Sequence, residues 1–404
     1  MRKSKYVIFL GDGMPDRPIV EHDNKTPLMM AKTPNLDFMA SQGSTGAVIT
    51  TPEGFAPGSD VTNMGILGFD PKKYYTGRAP LEASAMGVPL GPDDVAFRCN
   101  LVSLKPVADG VIMDDFTAGH IETEDAGELI GDLNEEFKSS DFSFHPGVSY
   151  RHLMVWKSGK TGAKLTPPHD ISDQNIRNFM PSGDGSDVLN TIISEAQIFL
   201  KQHKVNARRK AEGKKEANSI WLWGQGKAPS MPSLKESRSL TGAMITAVDL
   251  MRGLAVNAGM RVIDVPGATG WIDTNYEGKA TACLDALEEV DLVYLHVEAP
   301  DEAGHAGSLD YKIQAISDFD KKVVGPVLEG LKAMGDFRAI ALSDHATPLD
   351  IKTHNLDPVP FAIYPAVEGE AGASARFDES IVESAHLKFD TAVDLFQFFI
   401  EGER

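Results

Sequence analysis

The stretch A-L-S-D-H-A-T-P-L-D-I-K-T-H, from Ala341 to His354, places two histidines and two aspartates directly behind an apolar run. Phe337, Ala339, Ile340, Ala341 and Leu342 lack the polar alternation of a sheet that is wet on one face. The run therefore reads as a short strand buried on both sides, as in a parallel sheet. Asp344 and His345 stand at its carboxyl end, which is where open parallel sheets bind ligands. A carboxylate beside an imidazole offers the oxygen and nitrogen donors that zinc, manganese and related divalent ions accept. His354 adds another nitrogen further along the same loop.

Working outward, a chain of 404 residues is long for one domain, and two are expected. Hydrophobic residues at 42% with 8% aromatics supply a substantial core, which excludes a disordered chain. With 58 acidic against 39 basic residues the formal charge is -19, which argues against nucleic acid or an anionic membrane surface as a partner. A small anionic substrate then needs a local pocket of arginine, lysine or metal ions to overcome that field. Cys99 and Cys283 lie in apolar surroundings and suit a reducing cytoplasm rather than a disulfide framework. The basic N-terminus leads into an apolar run that stops at Leu10, too short for a secretory signal, and no window of about 18 apolar residues is present to span a membrane. A cytoplasmic protein is expected.

Strand-like and helix-like patterns alternate along the chain. Tyr6 to Leu10 reads as the first strand, and the turn-rich G-D-G-M-P-D-R-P (Gly11 to Pro18) leaves its end, which puts Asp12 in a position equivalent to Asp344. An aspartate between glycines more commonly just supports a turn. A second strand end carrying a carboxylate is what favours the functional reading. Thr33 and Pro34 open a helix that Gly43 closes, and a strand is expected near Ala47 to Thr50. In F-A-P-G-S-D-V-T-N-M-G (Phe55 to Gly65) a Gly-Ser-Asp turn precedes a helical pattern. Ser59 thus sits at a helix N-terminus, where unpaired N–H groups and the helix dipole favour a developing anion. A plain N-cap serine would look the same.

Between about Gly77 and Ala217 the pattern changes. Val95 to Leu104 and Ser149 to Trp156 alternate like strands and Asp187 to His203 is helical, which predicts an inserted α+β domain over 81–217, with 1–80 and 218–404 forming the core. The basic run from Lys201 to Glu216 reads as a solvated helix end and loop. After it, Ser219 to Trp223 is expected as a core strand, Thr241 to Val256 as an amphipathic helix, and Arg261 to Val265 and Asp291 to Val297 as strands. Leu309 to Met334 reads as a long helix, Pro360 to Tyr364 as a strand and Phe389 to Ile400 as a terminal helix. The Asp291 to Val297 strand runs into E-A-P-D-E-A-G-H, whose Asp301 and His305 share a face of one helical turn. Taken alone, that pair is a common surface pattern. There is no G-x-x-x-x-G-K-[ST] phosphate loop and no G-x-G-x-x-G dinucleotide turn after a strand.

Asp12, Ser59, Asp301, His305, Asp344, His345 and His354 together are enough for two cations. Two divalent ions about 4 Å apart suit phosphoryl transfer, because they bind the phosphoryl oxygens and hold a nucleophile as its alkoxide. Coordination of this kind activates a serine hydroxyl without a histidine base. The residues therefore point to transfer through a phosphoserine. Their order, together with K-T-P-L, T-P-N-L-D, P-G-S-D, G-F-D-P, G-R-A-P-L-E-A, T-P-P-H-D, P-G-A-T-G, D-E-A-G-H, S-D-H-A-T-P and H-N-L-D-P-V-P-F, resembles the alkaline phosphatase superfamily. More narrowly it resembles the cofactor-independent phosphoglycerate mutases of the archaeal type.

The resemblance implies an α/β fold, alkaline-phosphatase-like, with a doubly wound, mostly parallel sheet and a smaller inserted α+β domain that closes over it. It implies interconversion of 3- and 2-phosphoglycerate without 2,3-bisphosphoglycerate, with Ser59 carrying the phosphoryl group in transit. One ion would be held by Asp12, Ser59, Asp344 and His345 and the other by Asp301, His305 and His354, manganese being favoured over magnesium, zinc or cobalt. Arg78 in G-R-A-P and Arg98 in F-R-C-N would clamp the substrate's phosphate and carboxylate, with Arg151 and Lys279 as further cations and His120 and His169 as acid-base groups. Each also has a plain structural reading, as an arginine paired to an acid of its own domain or a histidine satisfied in a core. Some segments look like a bacterial branch for which a related phosphotransferase or phosphatase role, such as homoserine phosphorylation, is the alternative. No ATP-binding loop supports a kinase.

Overall fold

A computed structural model describes residues 4–138, 141–367 and 374–402. The chain divides into two compact units, one formed by Met1–Tyr75 with Met231–Arg404 and the other by Thr76–Ser230.

The first unit is built on an eight-stranded sheet with the spatial order Arg261–Ile263, Gly242–Ile245, Leu292–Val297, Lys5–Gly11, Phe337–Leu342, Val359–Tyr364, Ser44–Val48, Leu387–Phe389. All neighbours pair parallel except at Val359–Tyr364, which runs antiparallel to the strands on both sides of it. Along Lys5–Gly11 the side chains alternate between two cores. Val7 and Phe9 enter one with Leu36, Phe319 and Leu328, while Ile8 and Leu10 enter the other with Met64, Phe361 and Phe396. A strand covered by helices on both faces has no wet side, so its sequence stays apolar throughout. This is the doubly wound, mostly parallel α/β architecture expected from the sequence. Its three central strands, Leu292–Val297, Lys5–Gly11 and Phe337–Leu342, are in register side by side. Their carboxyl ends lead directly to Asp301, Asp12 and Asp344.

The second unit holds a five-stranded antiparallel sheet in which Val95–Val107 pairs with Gly110–Asp115, Arg151–Trp156 and Ser219–Lys227, and Phe142–His145 extends it beyond Arg151–Trp156. One face is covered by the helices Thr123–Glu136, Ser186–Gln202 and Lys204–Ala211, which bury Phe97, Cys99, Leu129, Ile193 and Leu222 in a single core. On the opposite face Arg98, Asn100, Trp221 and Trp223 follow the two-residue alternation of their strands.

Several sequence expectations need correction. Ser219–Lys227 is not a core strand: it pairs with Val95–Val107 in the second unit. Sheet membership was decided by a partner more than a hundred residues away, which no local pattern reveals. The expected helix from Thr241 to Val256 begins only at Asp249, because Gly242–Ile245 is a parallel strand between Leu292–Val297 and Arg261–Ile263. Four apolar positions fit either period, and the neighbouring strands decide. The terminal helix starts at Ala392, where Thr391 caps it by accepting from Asp394 N at 3.1 Å; Leu387–Phe389 is a strand. In the basic run, Arg209 is buried rather than solvated, with Nη1 on Glu122 and Asp125 at 2.6 and 3.0 Å and Nη2 donating to Ala118 O.

The long helix is real but changes at Asp320–Val324 into a π turn. Asp320, buried there, accepts from Asn35 N, Leu36 N and Asn35 Nδ2 at 3.1, 2.7 and 2.9 Å. The helix Pro34–Gln42 is thus capped from a distant part of the chain, while Thr33 at its own N-cap position makes no side-chain cap.

Candidate active site

Ser59 is the first residue of the helix Ser59–Ile66, and Gly58 occupies the N-cap, so the serine hydroxyl is not spent on capping. Its Oγ lies 3.2 Å from His345 Nε2. One turn on, Asn63 Nδ2 donates both to Ser59 O and to Asp344 Oδ2, each at 2.9 Å, and Tyr294 OH donates to Asn63 Oδ1. The helix that presents the serine is thereby tied to the strand end that presents Asp344 and His345. His345 Nε2 is 3.2 Å from Asp344 Oδ2 and 3.6 Å from Asp12 Oδ1.

A second group lies beside the first. The short helix Ala299–His305 places His305 Nε2 3.1 Å from Asp301 Oδ2, and His354 Nε2 is 3.5 Å from Asp301 Oδ1. His345 and His354 stack with centroids 3.7 Å apart. Among the described residues, three sets converge closely enough to hold ions: Asp301 with His305 and His354, Asp12 with Asp344 and His345, and Asp12 with His296 and Glu298. The first two contain six of the seven residues singled out in the sequence, and the seventh, Ser59, meets them through His345.

The imidazoles are oriented from behind. His305 Nδ1 donates to Lys352 O at 3.0 Å and His354 Nδ1 to Pro57 O at 2.8 Å. Thr347 Oγ1 gives its one proton to Asp301, so it accepts from His345 Nδ1 at 3.2 Å. With each Nδ1 committed to these partners, three Nε2 atoms are turned inward, the orientation that metal-binding histidines adopt. Inside the same volume, burial and then Asp344, Glu298 and Asp301 push the Asp12 carboxyl well above the usual range, and burial and then Asp301 push Glu298 up to about 8. The hydrogen bond that His305 donates to Asp301 lifts the imidazole to about 9. Asp12 Oδ1 is buried with no hydrogen-bond partner. Carboxylates packed closer than their charges tolerate, an orphaned oxygen and converging nitrogens all fit divalent cations.

Of the remaining predicted residues, Lys279 is fully buried in the helix Tyr276–Glu289, where Nζ donates to His296 O at 2.8 Å; it supports a strand end and is closed to substrate. The others lie in the second unit. Arg98 is buried, with Nε 2.9 Å from Glu82 Oε2, and Arg78 Nε is 3.3 Å from Glu82 Oε1. The pairing of each arginine with an acid of its own unit is therefore present. Arg151 is exposed beside Tyr150, His120 lies edge-on to the same ring with φ +49°, and His169 packs against Phe116 and Trp223. Sequence reading missed Asn63, Tyr294, His296, Glu298, Thr347, Glu82 and Trp223. Asn63 was accessible from its i, i+4 spacing to Ser59, whereas His296 and Tyr294 were hidden within an apolar strand.

A parallel-sheet core that brings a helix-initiating serine against paired Asp/His clusters defines a class: enzymes of metal-dependent phosphoryl transfer. Within it, residues 40–206 match the family model described as 2,3-bisphosphoglycerate-independent phosphoglycerate mutase. The chain is 54% identical over 98% of its length to the whole of the 2,3-bisphosphoglycerate-independent phosphoglycerate mutase of Methanothrix thermoacetophila. It is 51% identical, over 98% of its length and the whole of that chain, to a probable enzyme of the same name from Geobacter sulfurreducens. Among solved structures, the cofactor-independent phosphoglycerate mutase of Thermoplasma acidophilum is similar with a TM-score of 0.67 at 26% identity, covering 98% of this chain and 99% of that one. The chain belongs to the 2,3-bisphosphoglycerate-independent phosphoglycerate mutase family.

Proposed function

We propose that this protein interconverts 3-phosphoglycerate and 2-phosphoglycerate in the cytoplasm, as in glycolysis and gluconeogenesis, without 2,3-bisphosphoglycerate. The observation that carries the reading is the Ser59 hydroxyl held 3.2 Å from His345, at a helix N-terminus. No helix of the described residues is long and apolar enough to cross a membrane.

Asp12, Asp344 and His345, with Ser59, are the residues to hold one divalent ion, and Asp301, His305 and His354 the other; manganese suits this mixed oxygen and nitrogen set, as do zinc and cobalt. Bound there, such ions supply Lewis acidity toward phosphoryl oxygens and lower the pKa of the serine hydroxyl. Ser59 Oγ attacks phosphorus of 3-phosphoglycerate; the Oγ–P bond forms as the bond from phosphorus to the 3-oxygen breaks, and that oxygen takes up a proton. Glycerate turns, and its 2-hydroxyl attacks the phosphoserine, yielding 2-phosphoglycerate and restoring Ser59. The positive end of the helix dipole at the start of Ser59–Ile66 favours the anionic phosphoserine. Arg78, Arg98 and Arg151 bind the substrate's oxyanions, and His120 and His169 lie among them. Water has to be kept from the phosphoserine throughout, or transfer becomes hydrolysis.

An enolase-coupled assay with manganese and no bisphosphoglycerate tests this. Conversion that Ser59→Ala abolishes is expected; release of inorganic phosphate in place of 2-phosphoglycerate would make the protein a phosphatase.

A further inference from the structure

We infer that Trp223 and Glu82 act together as positioning residues that hold the Arg98 guanidinium in one orientation for an oxyanion of the substrate; the inference rests on the phosphoglycerate reading above. Arg98 and Trp223 face each other directly across paired strands, and the guanidinium carbon lies 4.2 Å over the indole ring. The ring is itself fixed, because Trp223 Nε1 donates to Asn100 Oδ1 at 3.0 Å, and the His169 ring meets it edge-on at 5.4 Å. Neither the tryptophan nor Glu82 is among the candidate site residues read from the sequence, although Glu82 lies within G-R-A-P-L-E-A.

Glu82 completes the clamp. One carboxylate oxygen meets Arg78 Nε and the other meets Arg98 Nε, so a single acid ties two guanidiniums through their Nε atoms. Arg151 adds its field to the same place: burial lowers Arg98 to about 10, Glu82 raises it, and Arg78 and Arg151 lower it again. Arg98 therefore stays charged at neutral pH. Glu82 thus gathers Arg78 and Arg98, and Arg151 acts on Arg98 from nearby, in a chain whose formal charge is -19. A stacked and tethered guanidinium loses little freedom on binding, whereas an untethered one must be ordered each time.

The test uses the full-length, manganese-loaded chain. Calorimetric binding of 3-phosphoglycerate is measured with Ser59→Ala as parent, and steady-state kinetics with Ser59 intact. Trp223→Leu and Glu82→Ala are expected to weaken binding about tenfold and to raise KM by the same factor, with kcat within about threefold of wild type. Trp223→Phe keeps a ring under the guanidinium and should recover most of the loss, which a purely structural role would not require. Parallel titrations with inorganic phosphate and with glycerate show which end of the substrate the clamp takes, the affected one being weakened in both variants. Variants that bind and turn over like their parents, or a Trp223→Phe as impaired as Trp223→Leu, overturn the inference. A parent that binds no 3-phosphoglycerate at all overturns the substrate reading first.

Discussion

The Nε2 atoms of His305 and His354 face each other at 3.1 Å, and the Nδ1 of each is committed to a backbone carbonyl, of Lys352 and Pro57 respectively. Two lone pairs at that separation repel unless a proton or a metal ion lies between them and Asp301. Removing either ring should therefore cost one ion and not the fold. His354→Ala is expected to retain about half the metal of wild type by mass spectrometry and to lose at least about 100-fold in mutase activity, with its thermal transition still cooperative. Full metal content in this variant would refute the assignment. Chelation of the wild type should abolish activity, and manganese should restore it.

Gly13 shows how tightly the same site is built. Its φ is +61°, and a Cβ there would lie 2.5 Å from Thr347 Oγ1, 2.7 Å from Asp301 Oδ1 and 2.8 Å from Asp301 Cα. The last contact is with backbone and cannot be relieved by a rotamer change. Gly13→Ala is expected to destabilise by about 1–3 kcal/mol and to weaken metal binding together with activity. Thermal denaturation with and without manganese separates the two effects.

Asp320 serves stability alone. Its carboxylate takes the place of an N-cap for Pro34–Gln42, so Asp320→Ala should lower stability by about 1–3 kcal/mol, read from urea unfolding. The KM for 3-phosphoglycerate should stay at its wild-type value.

Glu379 gives a pH signature. It accepts from Thr26 Oγ1 at 2.7 Å and Asp16 N at 2.9 Å, and burial pushes its carboxyl from 4.5 up to about 7. Between those values the folded chain holds a proton that the unfolded chain has released, so stability falls as pH rises from about 4.5 to about 7 and levels off above. Glu379→Gln should remove this slope and, at pH 8, match or exceed wild type, by an amount on the order of 1–3 kcal/mol. Unfolding measured at pH 5, 6, 7 and 8 checks it; an unchanged slope in the variant places the titration elsewhere.

The central strands were legible because burial on both faces leaves an unbroken apolar run of strand length, directly followed by turn residues. Asp12, Asp301 and Asp344 were legible because each follows such a run. What escaped was decided by partners distant in sequence. Gly242–Ile245 becomes a strand through its neighbours, and Ser219–Lys227 joins the second sheet through Val95–Val107. Arg209 lies in a run whose other lysines and arginines are exposed, and contacts with Glu122, Asp125 and the Ala118 and Lys215 carbonyls single it out. Glu298 and His296 carry no pattern of their own. They matter because Asp12 stands opposite them, with His296 Nε2 2.9 Å from Asp12 Oδ2.

The central position of Lys5–Gly11 bears on how the chain is made. Both of its neighbours, Leu292–Val297 and Phe337–Leu342, are translated long after it. The opening 75 residues thus leave the ribosome with no sheet to join, while Thr76–Ser230 is contiguous and has every strand partner of its own at hand. In synthesis the second unit can close first, and the serine meets its histidines only once residue 354 has been made.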